Sequence, residues 1–127
     1  FSLAASNPRT SSSIAAQADT FGCGWLEALA LLEREPELPT LLVIAHVPLE
    51  SAFAGLVDEV EAAYGVALLL AASGPGEPLG FAVEAASDPP LRPPWPDAVE
   101  FLRWLLSGEP RLRLGEGARR FAWERRS

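Results

Sequence analysis

The sequence predicts an α/β fold in which a mixed β-sheet packs against helices. The apolar positions of residues 21–32 recur at helical spacing. They are followed by residues 40–47, "TLLVIAHV", a short continuous apolar run of the kind that forms strands. After this helix and strand, the predicted order is possible helix, strand, strand, helix, strand, strand.

The first helix is predicted to begin at Asp19 or Thr20, either of which fits an N-cap position, and to end before Pro36. A short helix can also precede it, over residues 11–16. The apolar positions cover more than half of the helix circumference, so we expect the helix to be largely buried. They are Phe21, Trp25, Leu26, Leu29, Ala30 and Leu32.

Residues 40–47 are predicted to form a strand that is buried on both faces, as in a parallel sheet. Residues 51–64 fit either a helix ended by Gly65 or a long connection, and we favour the helix. Residues 66–73 are predicted to form a second buried strand. "GPGEP" then turns the chain, and residues 79–86 return as the antiparallel partner in a hairpin.

Residues 88–96 contain five prolines and are predicted to form an extended connection. Asp97 then caps a helix over residues 98–107, with Val99, Leu102 and Leu106 on one face and Gly108 past its end. "RLRL" and "RRFAWERR" alternate in the manner of strands, so the last twenty residues are predicted to form two short antiparallel strands.

Length and composition favour a single domain over residues 1–127. The chain is 49% hydrophobic, which is enough for a real core, and it has no apolar run long enough to cross a bilayer. It has no secretory signal pattern, and its single cysteine cannot form an internal disulfide. We therefore expect a cytoplasmic protein with no membrane contact. The chain starts at Phe1 and contains no methionine, so we also expect it to be part of something longer.

The charge is unevenly distributed. Residues 1–108 carry four arginines against fourteen acidic residues, and residues 109–127 carry six arginines against three. The acidic body argues against nucleic-acid binding, which requires a basic surface. The basic end can bind an acidic partner such as an acyl carrier protein, or it can be a solvated strand that protects a sheet edge.

Most chemical motifs have a simpler structural interpretation. His46, the single histidine, is predicted to lie at a strand end and lacks the further ligands of a zinc site. "GPGEPLG" lacks the ending of a phosphate-binding loop and fits a hairpin better. We assign Asp58, Glu59 and Glu61 to the surface, and the tryptophans to core packing. No metal or cofactor is predicted.

Cys23 is the remaining candidate. It lies at the predicted start of the first helix, where the helix dipole and free N–H groups can stabilise a thiolate. The alternative is a small apolar residue that packs in the core.

The sequence around Cys23 resembles the nucleophile region of β-ketoacyl synthases. In those enzymes "DTACSSSLVAL" starts a buried helix, and here "DTFGCGWLEAL" runs from Asp19 to Leu29. Five segments resemble, in order, the β-ketoacyl-synthase-like, chain-length-factor-like family associated with aryl-polyene and polyketide clusters. They are "FSLAASNPRTSSSIA", "QADTFGCGWLEALALL", "TLLVIAHVPLE", "YGVALLLAAS" and "RRFAWERR". Compared with that family, the chain lacks an N-terminal part and a stretch between Ala16 and Gln17.

The resemblance implies a thiolase-like half, a five-stranded sheet sandwiched between helices (αβα), with the Phe21 helix in the core. Aligning Asp19-Thr20 with the "DT" of the synthases places Gly22 at the nucleophile position and Cys23 one residue later. One residue rotates a helix by about 100°, which would aim the thiol elsewhere, whereas a one-residue slip in the turn would restore it to the nucleophile position. The catalytic histidine pair of complete synthases has no counterpart here.

Three hypotheses follow. The first is a non-condensing accessory or chain-length-type subunit in fatty-acid, polyketide or aryl-polyene biosynthesis. The second is an acyl-transferring condensing enzyme that uses Cys23, and the third is a structural αβα domain without acyl chemistry. The resemblance further implies a homodimer or heterodimer, with a complete ketoacyl synthase or an acyl carrier protein as partner.

Overall fold

The computed structural model describes residues 13, 19–47 and 63–126. Within them the chain forms two helices and five strands. These are α1 (Thr20–Arg34), β1 (Thr40–His46), β2 (Tyr64–Leu70), β3 (Leu79–Ala85), α2 (Asp97–Ser107), β4 (Arg111–Leu114) and β5 (Arg119–Arg125). Of the predicted helix over residues 11–16 only Ser13 is described, and most of the predicted helix over residues 51–64 lies outside the described residues. Tyr64 and Gly65, at the end of the latter, belong to β2.

Helix α1 begins where the sequence predicted. Asp19 occupies the N-cap position, although its side chain makes no capping hydrogen bond. The buried positions are Phe21, Gly22, Trp25, Ala28 and Leu32. Leu26 is 36% exposed and Ala30 is exposed, so the buried face is narrower than predicted.

Strands β1 and β2 form a two-stranded antiparallel ribbon, paired from Thr40↔Leu70 to His46↔Tyr64. The expectation of a parallel strand buried on both faces was wrong. Only one face of β1 packs inward, and Leu41 and Val43 on the other face are 58% and 60% exposed. A continuous apolar run shows no alternation, so the sequence could not distinguish a half-exposed strand from a buried one.

Strands β3, β5 and β4 form a second antiparallel sheet in that order. The predicted hairpin between residues 66–73 and 79–86 was wrong, because β2 and β3 belong to different sheets. Strand β3 pairs instead with β5, where Phe81 lies opposite Trp123 and both side chains face the core. The prediction of two antiparallel strands at the end of the chain was correct.

Helix α2 ends at Gly108, whose φ of 81° is the left-handed conformation that favours glycine. Its buried side chains are Ala98, Phe101 and Trp104. The predicted apolar face was wrong in part, because Leu106 is 87% exposed. The helix carries two apolar faces, and its amphipathic pattern alone did not show which one meets the core.

One apolar core joins both helices and both sheets. Its centre is a cluster of aromatic rings from α1, α2, β3 and β5, in which Trp123 is 0% exposed. Trp25 and Phe101 contact each other with ring centroids 5.1 Å apart, and both rings contact Trp123. Core packing was predicted correctly for three of the four tryptophans, but Trp95 is 47% exposed.

Candidate functional site at the start of helix α1

The first turn of α1 is covered by the start of β5. Arg119 Nη2 lies 3.9 Å from Asp19 Oδ2 and 3.8 Å from Cys23 Sγ. Gly117 lies against the same carboxylate, since a Cβ atom there would be 3.5 Å from Asp19 Oδ2. The fold therefore brings together, at one helix end, residues that are 96 positions apart in the sequence.

Cys23 is half-buried and packs against the edge of the apolar core. The guanidinium of Arg119 donates to its sulfur, while the Arg119 side chain remains 51% exposed. The thiol thus lies partly buried at the edge of the core, with a guanidinium beside it. Among the described residues, its one hydrogen-bonding neighbour is a cation.

Gly22 occupies a different environment from its neighbour in the sequence. It is buried, and a Cβ atom built on it would lie 2.5 Å from Cγ and Cδ2 of Phe121. Real Cβ atoms do not approach carbon so closely, because packed carbon atoms sit at about 3.5–4.0 Å. Position 22 therefore faces the ring of Phe121, and the 100° rotation per helical residue turns Cys23 away from it.

His46 lies at the end of β1, as predicted, and does not contribute to this helix end. Its ring stacks on Tyr64 with centroids 5.9 Å apart. Its Nε2 is buried and has no hydrogen-bond partner among the residues that the structure describes. In the same part of the chain, no group of histidine, cysteine, aspartate and glutamate residues is arranged to hold a metal ion. Asp58, Glu59 and Glu61 lie outside the described residues.

A second polar cluster lies on the opposite face of the β3–β5–β4 sheet. Arg120 is 1% exposed and makes five hydrogen bonds, to Asp88 Oδ1 and to the carbonyls of Asp88, Pro89, Gly117 and Arg119. Arg113 donates to Asp88 Oδ2 at 2.9 Å. This hydrogen bond is the main reason that the pKa of Asp88 lies below its ordinary value. The cluster fixes the proline-rich connection to the sheet.

The basic end of the chain is largely neutralised within the fold. Arg111 and Arg113 pair with Glu84, and Arg125 pairs with Glu77. These contacts favour the strand interpretation of the arginine-rich end over a free basic surface. Sequence reasoning missed the burial of Arg120 and the role of Phe121. The alternation of "RRFAW" does place Arg120 on the face opposite Phe121, which is the one signal that the sequence carried.

Comparison with known proteins agrees with this architecture. Residues 1–124 match the family model described as "Beta-ketoacyl synthase, N-terminal domain". Among solved structures, the chain is similar to one from the complex of the ketosynthase ApeO with its chain length factor ApeC from Xenorhabdus doucetiae. The TM-score is 0.79 at 26% identity, over 98% of this chain and 50% of that chain. No curated protein matches the sequence.

The structural similarity confirms the predicted fold class, a thiolase-like half built from helices and β-sheets. Within the described residues, however, the strands form two antiparallel sheets and not the single mixed, five-stranded sheet that was expected. The similarity also means that the chain spans half the length of the chain it matches. Neither α1 nor α2, the two helices of the described residues, has the length and hydrophobicity of a membrane-spanning helix.

Proposed function

Because this chain belongs to the β-ketoacyl synthase N-terminal-domain family, we propose that it is a non-condensing member that works beside a complete ketosynthase. Its role would be that of an accessory or chain-length-type subunit in fatty-acid, polyketide or aryl-polyene biosynthesis. The observation that carries the proposal is Gly22. At the position aligned with the nucleophile of the synthases, the chain has a residue with no side chain, and Phe121 lies against it.

The histidine of residues 1–127 is also not placed to assist Cys23. Decarboxylative condensation in complete synthases uses a histidine pair, and the one histidine within residues 1–127 is His46. That histidine stacks on Tyr64 in the β1–β2 ribbon, away from the contacts of the α1 start. A nucleophile and its activating base must lie within hydrogen-bond reach of one another, and His46 makes no such contact with Cys23 within the described residues.

The partner is proposed from the similar structure and from the surface of the ribbon. The similar structure is a ketosynthase bound to a chain length factor. On the outer face of β1 and β2, Leu41, Val43 and Leu69 are 58%, 60% and 70% exposed. Apolar patches of this kind mark interaction surfaces. We therefore propose a heterodimer with a ketosynthase in the cytoplasm, with an acyl carrier protein delivering the substrate and residues 1–127 acting as one domain.

The test is a condensation assay with purified components. The chain is incubated with an acyl carrier protein, a malonyl-loaded carrier and an acyl donor, alone and together with a complete ketosynthase. We expect no condensation by the chain alone, and a change in the rate or product length of the ketosynthase when the chain is added. Condensation by the chain alone would refute the proposal.

The second candidate function is acyl transfer by Cys23, and the contact with Arg119 is the observation that favours it. Incubation with an acyl thioester, followed by mass spectrometry, distinguishes the two functions. The accessory role predicts no adduct, whereas acyl transfer predicts a saturable adduct on Cys23. The Cys23→Ala variant is the control, because it removes the thiol and leaves the rest of the α1 start unchanged.

A further inference from the structure

We infer that Phe121 closes the nucleophile position of this fold, so that residue 22 of α1 can be nothing larger than glycine. The inference deepens the proposed function and rests on it. Position 22 lacks more than a reactive group, because Phe121 of β5 fills the space for any side chain there.

Rotation of the Phe121 ring about its Cβ–Cγ bond does not relieve the clash with a side chain at position 22. A Cβ atom at position 22 would lie 2.5 Å from Cγ, 2.5 Å from Cδ2 and 2.6 Å from Cε2 of Phe121. Rotation about the Cβ–Cγ bond moves Cδ2 and Cε2 but leaves Cγ in place. Only a new χ1 rotamer of Phe121, or a displacement of α1 against β5, would make room.

Both of these movements are opposed by the surroundings of Phe121. The residue is 1% exposed, and its backbone lies in the central strand, opposite Val83 on one side and Leu114 on the other. Its ring stacks on Phe81 with an interplanar angle of 12° and centroids 6.4 Å apart. The guanidinium of Arg119 lies 5.7 Å from the ring centroid on the solvent side. Contacts with the neighbouring strands, with Phe81 in the core and with Arg119 therefore all restrict movement of the ring.

The ring of Phe121 limits how this site can be engineered. Replacing Gly22 by cysteine does not restore a nucleophile, because the new side chain needs the space that the ring occupies. Shortening Phe121 opens an apolar cleft beside position 22, lined by the neighbouring aromatic ring of Phe81. Such a cleft suits an apolar group of the size of a short acyl chain or a benzene ring.

The experiment is a double-mutant cycle of Gly22→Ala and Phe121→Ala, followed by thermal unfolding of the full chain. Within a helix, Gly→Ala normally stabilises, because alanine has the higher helix propensity. We expect the opposite in the wild-type background, a decrease in Tm of about 5 °C or more. In the Phe121→Ala background, Gly22→Ala should raise Tm by about 3 °C. If Phe121→Ala does not fold, the comparison with Gly24→Ala in the wild-type background keeps the inference testable, because Gly22→Ala should lower Tm far more than Gly24→Ala.

Gly24→Ala in the same helix is the matched control. A Cβ atom there would lie 3.2 Å from Cδ1 of Leu42, the mobile end of a flexible side chain, and no atom of Phe121 is its neighbour. Its effect on Tm should be the same in both backgrounds. A rise in Tm for Gly22→Ala in the wild-type background, or an equal change in both backgrounds, would overturn the inference. Tm does not depend on condensation, so this result stands apart from the test of the proposed function.

Discussion

Arg120 lies on the face of the three-stranded sheet opposite Phe121, where it is buried. A substitution there tests directly whether its hydrogen bonds fix the proline-rich connection over residues 88–96 to the sheet. Replacing Arg120 by methionine keeps an unbranched apolar side chain but removes all five hydrogen bonds of the guanidinium. The carbonyls of Asp88, Pro89 and Gly117 then lose their donor, each at a cost of about 1 kcal/mol. We expect Arg120→Met to lower the free energy of unfolding by about 3 kcal/mol.

The assay is urea unfolding monitored by far-UV circular dichroism, with Arg92→Met as the control. Arg92 also pairs with an acidic residue, Glu116 at 3.7 Å, but its side chain is 69% exposed. Exposed pairs of this kind contribute about 0–1 kcal/mol, so the control should be close to wild type. If Arg120→Met destabilised the protein no more than Arg92→Met, the reasoning from burial and hydrogen bonding would be refuted.

Three further predictions concern acid stability, core packing and the thiol. Because the pKa of Asp88 is lowered in the folded state, its contribution to stability is present above its ordinary value of 3.8 and lost as the pH falls through the folded-state pKa. In the Asp88→Asn variant, Tm should therefore fall less steeply than in the wild type as the pH is lowered into the acid range. Trp123→Ala should cost about 3–5 kcal/mol because the side chain is 0% exposed, whereas Trp95→Ala, at 47% exposure, should cost less than about 1 kcal/mol by the same urea assay. Cys23→Ala should cost on the order of 1 kcal/mol, and a loss several times larger would show that the thiol is part of the sealed core.

Local patterns in the sequence predicted the elements well. Apolar spacing identified α1, Gly108 fixed the end of α2, and alternation identified β4 and β5. These signals are local because they arise from the periodicity of a single helix or strand. The family resemblance extended them to the thiolase-like fold, which the structural comparison confirmed.

Strand pairing and the details of the site could not be predicted in the same way. The glycine- and proline-rich turn after β2 fits a hairpin, yet β3 pairs with β5, about forty residues further along the chain. The pairing partner of β3 depends on which apolar faces pack together in the folded protein, and no local sequence pattern indicates this. The contacts of Gly22 with Phe121 and of Cys23 with Arg119 likewise join distant segments, so they become visible only after the sheet has been assembled.

The division of the strands into two sheets has a consequence for how the chain opens. Within the described residues, no backbone ladder connects the β1–β2 ribbon to the β3–β5–β4 sheet. The ribbon is joined to the rest through side chains, where Leu42 approaches Gly24 of α1. Strands joined by a ladder of backbone hydrogen bonds unfold cooperatively, whereas contacts between side chains can open locally. We therefore expect the ribbon and the three-stranded sheet to be separate units of local unfolding, with the boundary along α1. In hydrogen–deuterium exchange, the free energy of opening should therefore be lower for the backbone amides of the ribbon than for those of β5. This difference is expected even though both elements pack into one apolar core.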